Sequence, residues 1–496
     1  MIHPRVCGIR LHSLYYYCQV LFVLKTTKLL LLFLLVFITS NRTQAFEIDQ
    51  NATPDRFIGL KPTFLTKTQA VALQTKSEDK TNFTAILEQA DSAGIILRNM
   101  NVSGKSIYVQ LHLQNRQSTP QQIGHALRIL HNNAAPNIEE FVIQTFYEGV
   151  SGTYISIMRK EFIKTVNSAQ SSPEELWNNT EITTQHETFN QPKTGANLVR
   201  HPIINYFKPT MLNLTLRNKL SLGKGRRNPL YRSDAVIGYK KADPHKRYTR
   251  LQATSLSFNL KNNLDRLYLD VRPVNLKAIR SDEDIYAEQD FIVDTLYDGA
   301  HFKVAKDTHA LIGAGYIDEG FLGVGGEILK RPLTKNWSLG LEGYFVDKRS
   351  PISFGALSIE DQKVWTAHAK FTYDMPKYDM RLGLRTGAYL DGDIGATASL
   401  TKNFRNGAKV EGFTTLTNKK DYDNFGDQTN LEAGLRLIMP LGGLIKPFNI
   451  QINTDTSYKP FVRDSGQFIE PPFKLIDITE KLDKAHIEKY WNDITK

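Results

Sequence analysis

Cysteine is almost missing from the 496-residue sequence: there are two, Cys7 and Cys18, both within the first 45 residues. A chain processed after residue 45 would have no thiol for a disulfide, a nucleophile or a sulfur-bound metal. Long apolar runs are missing too. Beyond residue 46 nothing approaches the roughly 18 consecutive apolar residues that a spanning helix requires. Any crossing of a membrane by this part of the chain is therefore left to strands closed into a barrel. Charge of one sign is not concentrated anywhere: 62 Lys and Arg stand against 51 Asp and Glu, a net charge of +11, spread along the chain without a basic block. Nucleic acid is not an expected partner on that distribution, and the surplus suits solvated surface and a face turned to anionic partners.

The signatures of common catalytic sites are also lacking. No Gly-x-Ser-x-Gly elbow, His-Glu-x-x-His pair or phosphate-binding Gly-x-x-x-x-Gly-Lys loop occurs, so no enzyme, cofactor or metal is expected. Gly323-x-Gly325-Gly326 lies inside a strand pattern with no helix after it and reads as strand glycines packed by an aromatic ring. The acidic run Asp421–Asp427 lacks the glutamate at position twelve of a calcium loop and reads as a solvated loop. His368 alternates with Thr366 and Lys370 and stands alone, which is too little for a metal site.

What is present divides the chain. Lys25 and Lys28 precede the apolar run Leu29–Ile38, which ends in a polar stretch at Thr43-Gln44-Ala45. This is the pattern of a secretory signal peptide over 1–45, with a leader long enough to place the true start codon downstream of Met1. Residues 46–80 form a polar extension. From 81 to 165 the pattern is a small α+β domain. Thr81-Asn82-Phe83 opens a helix, strands follow over Gly94–Asn99 and Ser106–Leu113, and Ser118 with Pro120 starts a second helix that ends at Asn132-Asn133. Glu139–Tyr147 and Thr153–Ile157 pair around Glu148-Gly149. The second helix has one apolar stripe, so Gln121, His125, Arg128 and His131 are expected to face water. Residues 166–215 are poor in apolar periodicity and rich in Pro, Asn and Ser, and read as a linker.

From 216 to 462 the period changes to two. In Met380–Leu390, Leu382 and Leu384 share one face while Arg381, Gly383 and Arg385 share the other. Ser338–Val346, Val364–Tyr373, Leu431–Met439 and Phe448–Asn453 repeat the split. Strands this long, apolar on one side and polar or glycine on the other, fit tilted strands crossing hydrocarbon, and about 12 of them would make an even-numbered transmembrane antiparallel barrel. Turns are expected at Asp298-Gly299, Asp391-Gly392 and Arg405-Asn406-Gly407. The last strand is placed at 447–461, closed by Phe461. Residues 463–496 form a tail, helical over Ile478–Asp493, that hangs in the periplasm or plugs the barrel mouth. The fold class is thus mainly β, a C-terminal barrel preceded by a small α+β periplasmic domain.

Several strings, taken in order, carry a resemblance. Gly320–Leu329 with Arg331-Pro332 and Trp337, Gly387–Leu390 through Asp393–Thr397, Phe404–Gly407, and Arg463-Asp464-Ser465-Gly466-Gln467 together resemble the YjbH family of exopolysaccharide-biosynthesis outer-membrane proteins, also called the GfcD or capsule-biogenesis family. Leu113–Arg116 through Glu140-Phe141 is similar to that family's α/β segment. The chain departs from the pattern in lacking a lipoprotein signal and in having Ser465 where glycine is usual. The resemblance implies a non-enzymatic component of exopolysaccharide or capsule export in the cell outer membrane. Its implied partners are an acidic polysaccharide, outer-membrane lipid and periplasmic export machinery. A solute porin is the alternative. The polar strand face supplies the candidate polysaccharide contacts: Arg381, Arg385, Lys370 and Arg436 for acidic groups, Tyr344 and Tyr389 for sugar faces. The competing reading of that face, which also includes Glu342, Glu411 and Glu432, is a salt-bridge mesh that holds the barrel closed.

Overall fold

The computed structural model describes residues 81–114, 117–167, 171–183, 210–222, 229–245, 247–267, 277–332, 335–404, 406–423, 425, 427–442 and 450–496. The signal peptide, the polar extension, Phe448, and much of the stretch read as a linker lie outside them.

The small domain is a five-stranded sheet, β1 (Ile96–Ser103), β2 (Ser106–His112), β3 (Glu140–Tyr147), β4 (Val150–Met158) and β5 (Glu181–Thr183), in sequential order. Helices α1 (Phe83–Ser92) and α2 (Thr119–Asn133) join it, followed by α3 (Arg159–Asn167) and α4 (Pro173–Asn178). α2 is the crossover of the one parallel pair, β2 with β3, as a parallel connection requires. Ser118 caps it by accepting from the Gln121 amide at 3.4 Å, with Pro120 in the first turn. Glu148 and Gly149, both at positive φ, make the tight β3–β4 turn. α4, β5 and the first half of β6 fall within 166–215, where short elements with little apolar periodicity left no signal.

The rest is a closed barrel: β6 (Thr210–Ser221), β7 (Leu230–Pro244), β8 (Thr249–Asn262), α5 (Glu283–Glu288) in the β8–β9 connection, β9 (Phe291–Ala305), β10 (Thr308–Asp318), β11 (Phe321–Lys330), β12 (Trp337–Arg349), β13 (Ile359–Met375), β14 (Met380–Ala388), β15 (Ile394–Asn403), β16 (Lys409–Tyr422), β17 (Gln428–Gly442) and β18 (Ile450–Tyr458). The count is 13, not the even 12 expected from the sequence. Each consecutive pair is antiparallel, so an odd number leaves the first and last strands pointing the same way. Closure is accordingly parallel, from Ile450 opposite Leu212 to Tyr458 opposite Leu220.

Alternation sorts the side chains. Leu341, Trp365 and Leu384 point outward, 62%, 61% and 45% exposed, while Glu342, Thr366 and Arg381 are buried on the inside. Two expectations fail here. Asp298-Gly299 is not a turn but the middle of β9; a Cβ on Gly299 would meet the Tyr297 ring and the Ile312 carbonyl, so the glycine serves packing. Phe461 lies past the end of β18, buried beside Leu230 and Val462 rather than closing a strand.

The chain after β18 runs from the far mouth through the barrel interior to the near mouth. β18 ends at the far mouth, where Asp464 N and Ser465 N donate to Asp421 and Gly466 N to Asp393. Further in, Leu475 N donates to Glu327, and α6 (Leu475–Glu480) and α7 (Lys484–Lys489) follow toward the near mouth. There the small domain sits: the Gly149 carbonyl accepts from Thr249 Oγ1 at 2.9 Å, and a 3₁₀ turn over Trp491–Thr495 lies on α2. The helix expected over Ile478–Asp493 is thus three short pieces. One apolar cluster is continuous from Ile123 and Leu127 of α2, through Ile494, Leu482, Ile478 and Phe473, to Tyr297 and Tyr344 of the wall.

This placement overturns the water-facing side of α2. Arg128 is buried and donates to the Lys496 carbonyl at 3.1 Å, and Ser118 Oγ donates to Asp493 at 2.8 Å. His125 and His131 are half covered; burial pushes both imidazoles below the usual value, helped by Arg128 and Arg159 respectively. A second covering surface 368 to 375 residues away in sequence could not be read from one amphipathic stripe. Gly124→Ala tests it. Alanine favours a helix by about 1 kcal/mol over glycine, yet here its Cβ would collide with the Ile494 carbonyl. The expected outcome is faster proteolytic trimming of residues 491–496 with the helix intact, whereas slower trimming would show that the end of the chain does not pack there.

Candidate functional site

The barrel interior is where ionisable groups converge. All six sequence-derived candidates sit on the inner face, and each is engaged. Lys370 Nζ lies between Glu327 and Glu342, 2.8 Å from Glu342 Oε2. Arg385 pairs with Glu342 at 3.1 Å and covers the Phe468 ring at 3.7 Å. Arg381 donates to Asp374 at 2.7 Å and reaches Glu480 at 3.4 Å. Arg436 grips Asp455 through two nitrogens, at 3.0 and 2.7 Å, and Glu470 with the third at 2.9 Å. The Tyr389 hydroxyl shares a hydrogen bond with Thr397 at 2.7 Å, and its ring meets His368 edge to face at 4.8 Å. Tyr344 is buried with its ring against Gly325, where any Cβ would clash.

Sequence reasoning missed the other half of these pairs. Glu470, Asp477, Glu480 and Asp483 come from the segment after β18, and they meet Arg436, Lys409, Arg381 and Arg331. The signal available was the spacing of acids within a stretch otherwise rich in apolar residues, but nothing local says which wall they face. Asp421, read as part of a solvated loop, is buried and accepts from the same segment. His368 is buried too, 3.3 Å from Glu342.

The far mouth is closed by a second mesh. Residues 279–281 wrap the Asp464 carboxylate: it accepts from Ile279 N (3.0 Å), Arg280 N (2.8 Å), Ser281 N (2.8 Å) and Ser281 Oγ (2.9 Å). From α5, Glu283 reaches down to Arg232 at 2.8 Å and to Lys219, while Glu319 bridges Lys219 and Arg232. Arg349, fully buried, donates to the carbonyls of Val293, Asp294, Asp318, Gly355 and Ala356, which pins the β12–β13 loop against β9. An arginine with its five donors in a rigid fork suits such a carbonyl cage.

Over residues 36–481 the sequence matches the YjbH family, described as exopolysaccharide biosynthesis protein YbjH. The chain belongs to this family. Among curated relatives of the YjbH family, the uncharacterized lipoprotein YjbH of Escherichia coli strain K12 is 30% identical over 236 residues, covering 46% of this chain and 33% of that protein. The chain therefore spans about a third of the length of the curated relative it matches. No solved structure matches the chain. The resemblance drawn from Gly320–Leu329 and Arg463–Gln467 holds, and both strings now have structural reasons. The first is β11, whose glycines admit the Tyr344 ring and close strand contacts. The second is the latch at the far mouth, in which Ser465 is fully buried and its hydroxyl accepts from Arg463 at 2.8 Å.

Proposed function

We propose that this protein is a non-enzymatic outer-membrane component of exopolysaccharide or capsule export, with the barrel spanning the membrane and the small domain on the periplasmic side. One observation carries the reading: a closed barrel, apolar outside and charged inside, in a chain of the exopolysaccharide-biosynthesis family. Outward Leu, Phe and Trp suit hydrocarbon, and inward Arg and Lys avoid the roughly 2–4 kcal/mol that such a residue costs at the midplane on the lipid side. A diffusion porin is disfavoured because the interior is filled by residues 464–483. The small domain, joined to the barrel through one apolar cluster, is suited to hold a periplasmic component of the export machinery at the near mouth.

Deletion of the gene is expected to abolish or strongly reduce surface polymer while leaving other envelope functions unchanged. The protein itself is expected in the outer-membrane fraction as a species whose gel mobility changes on heating. Recovery as a soluble periplasmic protein would refute the membrane placement, and unchanged polymer would refute the export role.

A further inference from the structure

The ion pairs between the barrel wall and the segment it encloses have one polarity. Arg436 meets Glu470, Lys409 meets Asp477 and Glu480, Arg381 meets Glu480, and Arg331 meets Asp483. In every one the cation is on the wall and the carboxylate on the segment. The reverse pair, Lys489 with Asp379, lies on the β13–β14 turn at the rim. Wall carboxylates meet a different chemistry: Glu327, Asp393, Asp421 and Asp318 accept backbone N–H groups of Leu475, Gly466, Asp464 and Glu470. The enclosed segment thus offers the wall both carboxylates, at 470, 477, 480 and 483, and neutral hydrogen donors, at 464–467, 470 and 475.

That complement is the one a carboxylate-bearing glycan offers, with hydroxyls as the donors. We propose that residues 464–483 are a built-in stand-in ligand, occupying a site on the inner wall that takes an acidic polysaccharide chain, which binds by displacing them. The inference rests on the exopolysaccharide reading and adds the polymer class and its binding mode. Withdrawal of the segment would leave Lys409 with no carboxylate within ion-pair distance among the described residues, and would strip one partner each from Arg331, Arg381 and Arg436. Lys409 would then be uncompensated while each arginine keeps one carboxylate, a surplus of positive charge on the wall that favours an anionic replacement for the segment. Phe468 covers Arg385 and the Phe473 ring lies 4.8 Å from Lys240 Nζ, so withdrawal of the segment uncovers these two cations as well.

The test uses the full chain in detergent micelles at fixed ionic strength, probed with oligogalacturonate, with neutral dextran oligomers of equal length and with dextran sulfate. Hydrogen exchange of residues 464–483 is the readout. Oligogalacturonate is expected to raise exchange there by about tenfold while the strands stay protected, and dextran to do nothing. Glu480→Gln weakens the competing segment and is expected to lower the half-saturating oligogalacturonate concentration by about tenfold, since affinity scales with the population of the open state. A merely structural segment predicts faster exchange in Glu480→Gln without any oligogalacturonate dependence, and that result would overturn the proposal. Equal action of dextran or of dextran sulfate would overturn it too, the first removing charge and the second removing carboxylate selectivity. Loss of the export role would look different: binding would persist while gene deletion left surface polymer unchanged.

Discussion

Replacing Asp464 with alanine is expected to lower the stability of the folded barrel by about 3–9 kcal/mol, since each of three donors left without an acceptor costs about 1–3 kcal/mol. Among the described residues, the carboxylate of Asp464 is the only acceptor for the amides of Ile279, Arg280 and Ser281. Asp464 itself is 3% exposed, so water has little access to replace it. The result would be a large drop in the temperature at which gel mobility changes, together with protease access to residues 277–290. Asp464→Asn keeps one carbonyl oxygen for the amides but loses the charge, and should fall between the two. An unchanged transition temperature in the alanine variant would mean that water occupies the nest and that the far mouth is held by other contacts.

The second large effect belongs to the outer wall. Leu384→Arg should prevent recovery of assembled protein from the outer membrane, whereas Lys370→Ala should not. Leu384 points outward, directly opposite Phe371 and Ala398, and on the proposed membrane placement an arginine there would cost roughly 2–4 kcal/mol against lipid. Lys370 points inward. Its removal leaves Glu342 still paired with Arg385 and Glu327 still accepting from Leu475 N, so the loss is partial and the barrel closes. Equal assembly of both variants would place the wrong face toward lipid.

How far the sequence carries depends on the range of the interaction. Alternation in β12, β13 and β14 is local and sorts Leu341 from Glu342 without reference to any other strand, so the barrel and its inner charges could be read directly. The small domain was legible for the same reason, since Ser118, Pro120 and Glu148-Gly149 act within a few residues of themselves. Strand number was not, because β6 has the Pro- and Asn-rich linker before it and closure depends on a pairing between Leu212 and Ile450. The six wall residues could be placed, but their partners could not. Glu470 and Glu480 carry no periodicity that points to Arg436 or Arg381. Burial of Arg128 likewise comes from the far end of the chain.

The parallel seam between β6 and β18 bears on the order of assembly. β18 finishes at the far mouth, yet the residues after it end beside α2 at the near mouth. If the seam closed first, this segment would have to thread from the far mouth through a finished ring, dragging Glu470, Asp477, Glu480 and Asp483 past the apolar interior cluster. If the seam closes last, the sheet curls around a segment already laid along its inner face, which then acts as a mandrel. The shape of the ring is in that case imposed from within, and a chain truncated after Tyr458 would lose the former on which it is wound as well as the filling of its interior.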